Sequence, residues 1–213
     1  MKNKKIHIAI LFIILLSFAI ATYFYPKMPD QMISHWNAAG QPNGYMGKCW
    51  ALYLMPSISV IMYLLFLLLP QIDPLKKNVE KFRVWFDWFI FVLITFLFYI
   101  YLLSLAANLG FAFNMTRAIL PFLGIFLIFI GEMLKHSKRN WFIGIRTPWT
   151  LSSDRVWEKT HLLGSKLFMI AGVLTVLAVL FSRYAFWVVI IAILWAVIYP
   201  VIYSYFEYKK RPW

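Results

Sequence analysis

Six long apolar runs set the rhythm of this sequence, and two polar intervals break it. The runs are Ile6–Tyr25, Leu52–Leu69, Trp85–Ala107, Ala118–Leu134, Leu167–Phe181 and Ala185–Phe206. Apolar runs of roughly 20 residues are long enough to cross a bilayer as helices. The fifth is short as an uncharged run. It reaches full length only if its helix begins near Leu162 and Lys166 snorkels to the headgroups. The predicted fold class is all-α: a polytopic membrane protein, one domain over residues 1–213, with a bundle of about six transmembrane helices. The polar intervals are residues 26–50 and 135–166.

The first run follows Lys2, Lys4 and Lys5, as the apolar part of a signal peptide would. It is longer than such a segment, and its exit, Tyr23-Phe24-Tyr25-Pro26, offers no small-x-small cleavage site. It reads as a retained helix and signal anchor.

Charge orients the bundle. With both termini cytoplasmic, only Lys27, Lys48, Arg117 and Arg183 of the 21 basic residues fall outside, and the positive-inside rule selects that topology. The net charge of +13 is spread over four inner segments. It reads as an orientation and anionic-lipid signal rather than a nucleic-acid footprint. The chain is 62% hydrophobic and 14% charged, against about a quarter charged for soluble domains, so membrane lipid is its main solvent. Cys49 stands alone, which excludes an intramolecular disulfide and a thiolate metal cluster.

The outer interval, Pro26–Trp50, holds Asn37, Gly40, Pro42 and Asn43-Gly44, all turn-forming residues. Pro29 and Asp30 suit a turn or a helix start. A compact, ordered cap is expected, with Trp36, Tyr45 and Trp50 at the interface. In the inner interval, Thr147 before Pro148 disfavours helix. Asp154 is expected to cap a helix running through Val156–Lys166 into the fifth span. At 100° per residue, Arg155, Lys159, Leu162 and Lys166 share one side. Val156, Trp157, Thr160, His161, Gly164 and Phe168 lie opposite, an aromatic face with one close-approach glycine that suits helix packing.

Two pieces of the chain carry a resemblance. Asn140-Trp141-Phe142-Ile143-Gly144-Ile145-Arg146-Thr147-Pro148-Trp149-Thr150-Leu151, followed by Val156-Trp157 and Thr160-His161, resembles the signature of the SdpI family. Met28-Pro29 with His35-Trp36-Asn37, Gly40 and Asn43-Gly44 resembles a small domain that precedes that signature in many members. Asn43 stands where the family leads one to expect an acidic residue, which argues against cation binding by this loop. The resemblance implies a bacterial membrane protein that gives its cell immunity to a secreted toxin peptide. It further implies a receptor that draws a cytoplasmic repressor to the membrane. Neither role follows from composition or spacing.

Two readings of the inner interval stay open on the residues alone. In one, Arg146, Trp149, Asp154, Trp157 and His161 form a docking surface or switch, since Arg and Trp dominate binding hot spots. The candidate partner-binding set is then Asn140, Gly144, Arg146, Thr147, Pro148, Trp149, Trp157 and His161. In the other, Trp141, Phe142, Trp149 and Trp157 anchor a loop in the headgroups with Arg146 on lipid phosphate. In the outer loop, His35 with Trp36 and Asn37 either binds a peptide or fixes the loop by hydrogen bonding.

Other constellations have ordinary readings. Glu132 and His136, at i and i+4, with His161 make a conceivable metal or proton site, but no third strong ligand is set by spacing. Pairing of Glu132 with an inner-face Lys or Arg is expected instead, and likewise for Asp87. Arg117 and Arg183 are expected to snorkel at outer helix ends. Ser152 and Ser153 beside Asp154 fit helix capping better than a hydrolase. No catalytic residue, cofactor or metal is assigned. The leading expectation is a non-enzymatic immunity protein, with a small transporter second and a membrane-embedded enzyme third.

Overall fold

The structure, a computed structural model, describes residues 3–181 and 184–210. Arg183, assigned above to an outer helix end, lies outside the described residues. Among the described residues, six helices are long and apolar enough to cross a membrane: α1 (Lys4–Phe24), α2 (Lys48–Ile72), α4 (Arg83–Asn108), α5 (Met115–His136), α7 (Asp154–Leu177) and α8 (Ala185–Lys209). Two short helices, α3 (Lys76–Lys81) and α6 (Pro148–Leu151), sit in connections. Six crossings put the two ends of the described chain, the α2–α4 connection and residues 137–153 on one face. This is called the terminal face below.

Lipid offers the backbone no hydrogen bonds, which favours uninterrupted helix. The polar side chains in the spans turn inward on their own helices. Thr95 donates to the Phe91 carbonyl at 2.8 Å and Thr175 to that of Ala171 at 2.7 Å. Pro56, Pro121 and Pro200 lie inside helices that continue through them. The lipid-facing sides stay apolar, as with Trp187, Ile191, Leu194 and Trp195 on α8.

The spans form two groups, α1–α2–α4 and α5–α7–α8, joined along α4 and α5. The α5–α7 seam is the tightest because glycines remove the side chains between the backbones. A Cβ on Gly124 would lie 2.6 Å from the Gly172 carbonyl oxygen, and one on Gly131 would lie 2.7 Å from that of Ser165. Small residues permit such close helix approach in membranes. In the first group, Ile10, Ile14, Phe86, Ile90 and Ile94 form the buried core.

Two expectations differ in detail from the structure. Residues 26–50, expected as a compact cap rich in turn residues, take their form from strands. They fold as an antiparallel hairpin, β1 (Gln31–Trp36) and β2 (Pro42–Gly47), pairing Met32 with Met46 and Trp36 with Pro42. The residues after Pro29-Asp30 are therefore strand, not helix. The helix expected through Val156–Lys166 into the fifth span is present, but it begins at Asp154 and its cap is Ser153, whose hydroxyl accepts the Val156 N–H at 3.4 Å. Asp154 is the first helical residue, where its negative charge still suits the helix dipole.

Candidate functional site

The inner interval is a folded cap on the terminal face. Asn140, fully buried, is its knot. Its amide nitrogen donates to the carbonyls of Lys138 and Ile143 (2.8 and 2.9 Å), and its oxygen accepts the N–H groups of Phe142 and Ile143 (3.0 and 2.6 Å). That ties a tight bend with one side chain. Gly144 follows at φ +111, and a Cβ there would collide with His161 Nε2. The positive φ and the contact both demand glycine.

Trp157 and His161 stack with centroids 3.9 Å apart and are buried beneath this bend. His161 Nε2 accepts the Ile145 N–H at 3.0 Å, and Nδ1 lies 2.8 Å from the Trp157 carbonyl. Because a carbonyl can only accept, these bonds fit an imidazole with its proton on Nδ1. Trp157 Nε1 donates to the Ser137 carbonyl at 3.2 Å. Thr147 and Thr150 form a reciprocal capping box, so the Thr147-Pro148 step starts helix α6. Trp149, half-buried, meets Tyr205 edge-on at 5.0 Å.

The cap is also tied across the face. Asp73, after α2, accepts the Trp141 N–H at 2.9 Å, and Asn78 donates to the Arg139 carbonyl at 3.0 Å. Arg139 pairs with Asp154 at 2.7 Å, and Glu207 on α8 receives Lys159 at 2.5 Å. Asn140, Thr147, Trp157 and His161 thus hold the cap together from inside. Arg146 and Pro148 are exposed and Trp149 is half-exposed. Arg146 donates to the Trp141 carbonyl at 2.9 Å. Arg155, Lys159, Leu162 and Lys166 line the exposed side of α7, opposite the buried aromatic face.

Glu132 lies 3.5 Å from His136 and 3.6 Å from Lys135. Both nitrogens of His161 are occupied elsewhere, so the three residues do not converge. Among the described residues no group of three His, Cys, Asp or Glu could hold a metal.

The outer motif residues build the hairpin. Asn37 accepts the N–H groups of Ala39 and Gln41, both at 3.0 Å, which shapes the turn. Gly40, at φ +77, leaves room for the Asn114 side chain, and Gly44 faces His35 across the strands. His35 bonds Asn43 at 2.6 Å. At the base, Lys48 pairs with Asp30 at 2.8 Å, and its ammonium holds that carboxyl below its ordinary pKa. Pro29 is exposed beside it. Met28 and Met32 seat the hairpin on Ala21, Leu52 and Tyr101. A cavity of about 320 Å³ opens beside β1, lined by His35, Trp36 and Asn37 together with the apolar Ile100, Ile119 and Phe186.

A third polar set went unseen as a unit in the sequence. Asp87 is buried within α4, 2.7 Å from Arg83 Nε and 3.5 Å from His7 Nε2, while His7 Nδ1 lies 3.1 Å from the Tyr63 hydroxyl. The i, i+4 spacing of Arg83 and Asp87 was the available signal. His7 gave none, lying in an apolar run.

Residues 136–204 match the model of the SdpI/YfhL protein family, and residues 12–60 match a domain of unknown function (DUF1648). The chain is 28% identical to Immunity protein SdpI of Bacillus subtilis (strain 168) over 207 residues, 97% of each chain. The chain is thus similar to the SdpI/YfhL family, through residues 136–204 and through this relative. It is a multi-pass membrane protein. No solved structure matches it. The SdpI match runs from the end of α5 through the cap to Ser204, whose hydroxyl meets that of Thr147 at 3.0 Å. The other match contains the whole hairpin. Each family segment therefore coincides with one capped face of the bundle.

Proposed function

We propose that this SdpI-like protein protects its cell against a secreted toxin peptide. The observation that carries the reading is its relation to an immunity protein over 97% of both chains. The terminal face lies in the cytoplasm and the hairpin outside, an orientation supported by the asymmetry of basic residues. The toxin meets the hairpin and its cavity, where an apolar floor sits beside His35, Trp36 and Asn37. Such a pocket, with few polar groups on an apolar lining, suits an amphipathic ligand. Immunity of this kind requires no catalytic step.

The same protein also acts as a receptor. The exposed part of the inner cap, Arg146, Pro148 and Trp149, holds a cytoplasmic repressor when toxin is bound. Signalling requires toxin to bind two states of the protein with different affinity. A transporter reading is favoured by the Arg83–Asp87–His7 set, because ionisable groups inside a span often line ion pathways.

The test is expression in a toxin-sensitive host that lacks its own immunity gene, with survival scored against toxin dose. Survival equal to that of empty-vector cells, at normal membrane levels of the protein, overturns the immunity reading. Export of labelled toxin by cells or vesicles that contain the protein would establish the transporter instead.

A further inference from the structure

A second cavity, of about 420 Å³, lies under the inner cap where the two helix groups part. Its wall is apolar: Phe89 from α4, Ile130 from α5, Phe168 from α7, and Val197 and Val201 from α8. Among the described residues that line it, Arg146 alone is charged. The volume is within the roughly 300–1,000 Å³ of ligand pockets.

Two observations specify the occupant. The first is depth. Val197 lies roughly 18 Å along α8 from its Lys209 end, at about 1.5 Å per residue. Half of a hydrocarbon core is about 15 Å. The cavity therefore follows one leaflet from its headgroup boundary toward the bilayer centre, as an acyl chain does. The second is charge. Arg83, Arg139 and Arg155 each lie against a carboxylate. Arg146 is exposed, and among the described residues no carboxylate pairs with it; its hydrogen bond to the Trp141 carbonyl engages only Nη1. A guanidinium has five donors in a planar fork, so most of its capacity faces outward, and that geometry matches phosphate.

We infer that this cavity is a binding site for one anionic phospholipid of the leaflet on the terminal side. The acyl chain lies among Phe89, Ile130, Phe168, Val197 and Val201, and the phosphate meets Arg146. The lipid covers apolar surface left where the helix groups separate and adds an anion beneath the Gly144–Arg146 bend. This makes the bend sensitive to membrane composition.

The test is native mass spectrometry of the purified full chain in detergent, titrated separately with dioleoyl phosphatidylglycerol and dioleoyl phosphatidylcholine. Wild type should retain one phosphatidylglycerol with about tenfold preference, the size of one charge-assisted hydrogen bond. Arg146→Gln should remove the preference, whereas Arg146→Lys, which keeps the charge, should retain part of it. Val197→Trp, which fills the cavity, should lower retention of both lipids. Arg155→Gln, on the exposed side of α7, should bind as wild type does. Equal retention of the two lipids by wild type overturns the proposal. So does phosphatidylglycerol binding unchanged by Val197→Trp, or self-association of the chain that displaces the lipid. Neither toxin nor repressor enters the measurement, so its failure is separate from failure of the immunity reading.

Discussion

The hydroxyls of Thr147 and Ser204 meet at 3.0 Å, which fastens the start of α6 to the last membrane helix. The Thr147 hydroxyl also accepts the Thr150 N–H at 3.1 Å. One side chain thus starts a helix and attaches it to the bundle. The start of α6 is thereby packed against α8.

Gly144→Ala tests how tightly that cap is built. The new methyl group meets the His161 ring, and φ +111 is unfavourable for alanine. The expected cost is about 1–3 kcal/mol. It should appear as a lower thermal midpoint in detergent and faster proteolysis after Lys138. An unchanged midpoint would mean the bend has another conformation.

Asp87→Asn probes the buried pair in α4. It leaves Arg83 charged and buried without a carboxylate, a loss of about 3–5 kcal/mol for pairs of this type. Membrane levels and thermal midpoint should fall together. Adding Arg83→Gln should recover part of the loss, because both charges are then gone. A double variant worse than either single one would show that the two residues act separately.

Orientation is open to direct labelling. In a Cys49→Ser background, Asn43→Cys should react with an impermeant maleimide in intact cells. Ser152→Cys should react only after permeabilisation. Ser152 is the suitable position because it is exposed, whereas neighbouring Ser153 is buried and caps α7. Labelling of position 152 from outside would reverse the proposed topology.

The outer site allows a finer distinction. His35→Ala removes both an imidazole and its bond to Asn43, while Asn43→Ala removes the bond alone. If the ring touches toxin, His35→Ala should raise sensitivity about tenfold, as truncating a binding hot spot does, and Asn43→Ala much less. Equal effects at normal protein levels would confine His35 to holding the hairpin.

The six spans were legible because a membrane helix is specified by its own run of apolar residues. The buried face of α7 was legible for the same reason: Val156, Trp157, Thr160 and His161 repeat with helical spacing. The hairpin was not. Strand β1 is held partly by Asn108, whose side chain pairs with the Ile33 backbone at 2.7 and 3.0 Å from 75 residues away. Likewise His7 reads as an isolated residue until α4 brings Asp87 beside it. At the inner site, the motif was visible in sequence but its sorting was not. Asn140, Trp157 and His161 are as conspicuous as Arg146, and only burial separates those that support the cap from the one that faces outward.

Asn114 gives the hairpin a mechanical role. Its nitrogen holds the Ala39 carbonyl at the hairpin tip at 2.6 Å, and its oxygen caps α5 through the Arg117 N–H at 2.9 Å. Asn108, at the end of α4, grips the same hairpin from the other helix group. The hairpin therefore works as a strut between the two groups. A force that lifts its tip pulls on the side chain that caps α5, so displacement outside the membrane and fraying of a membrane helix become a single event.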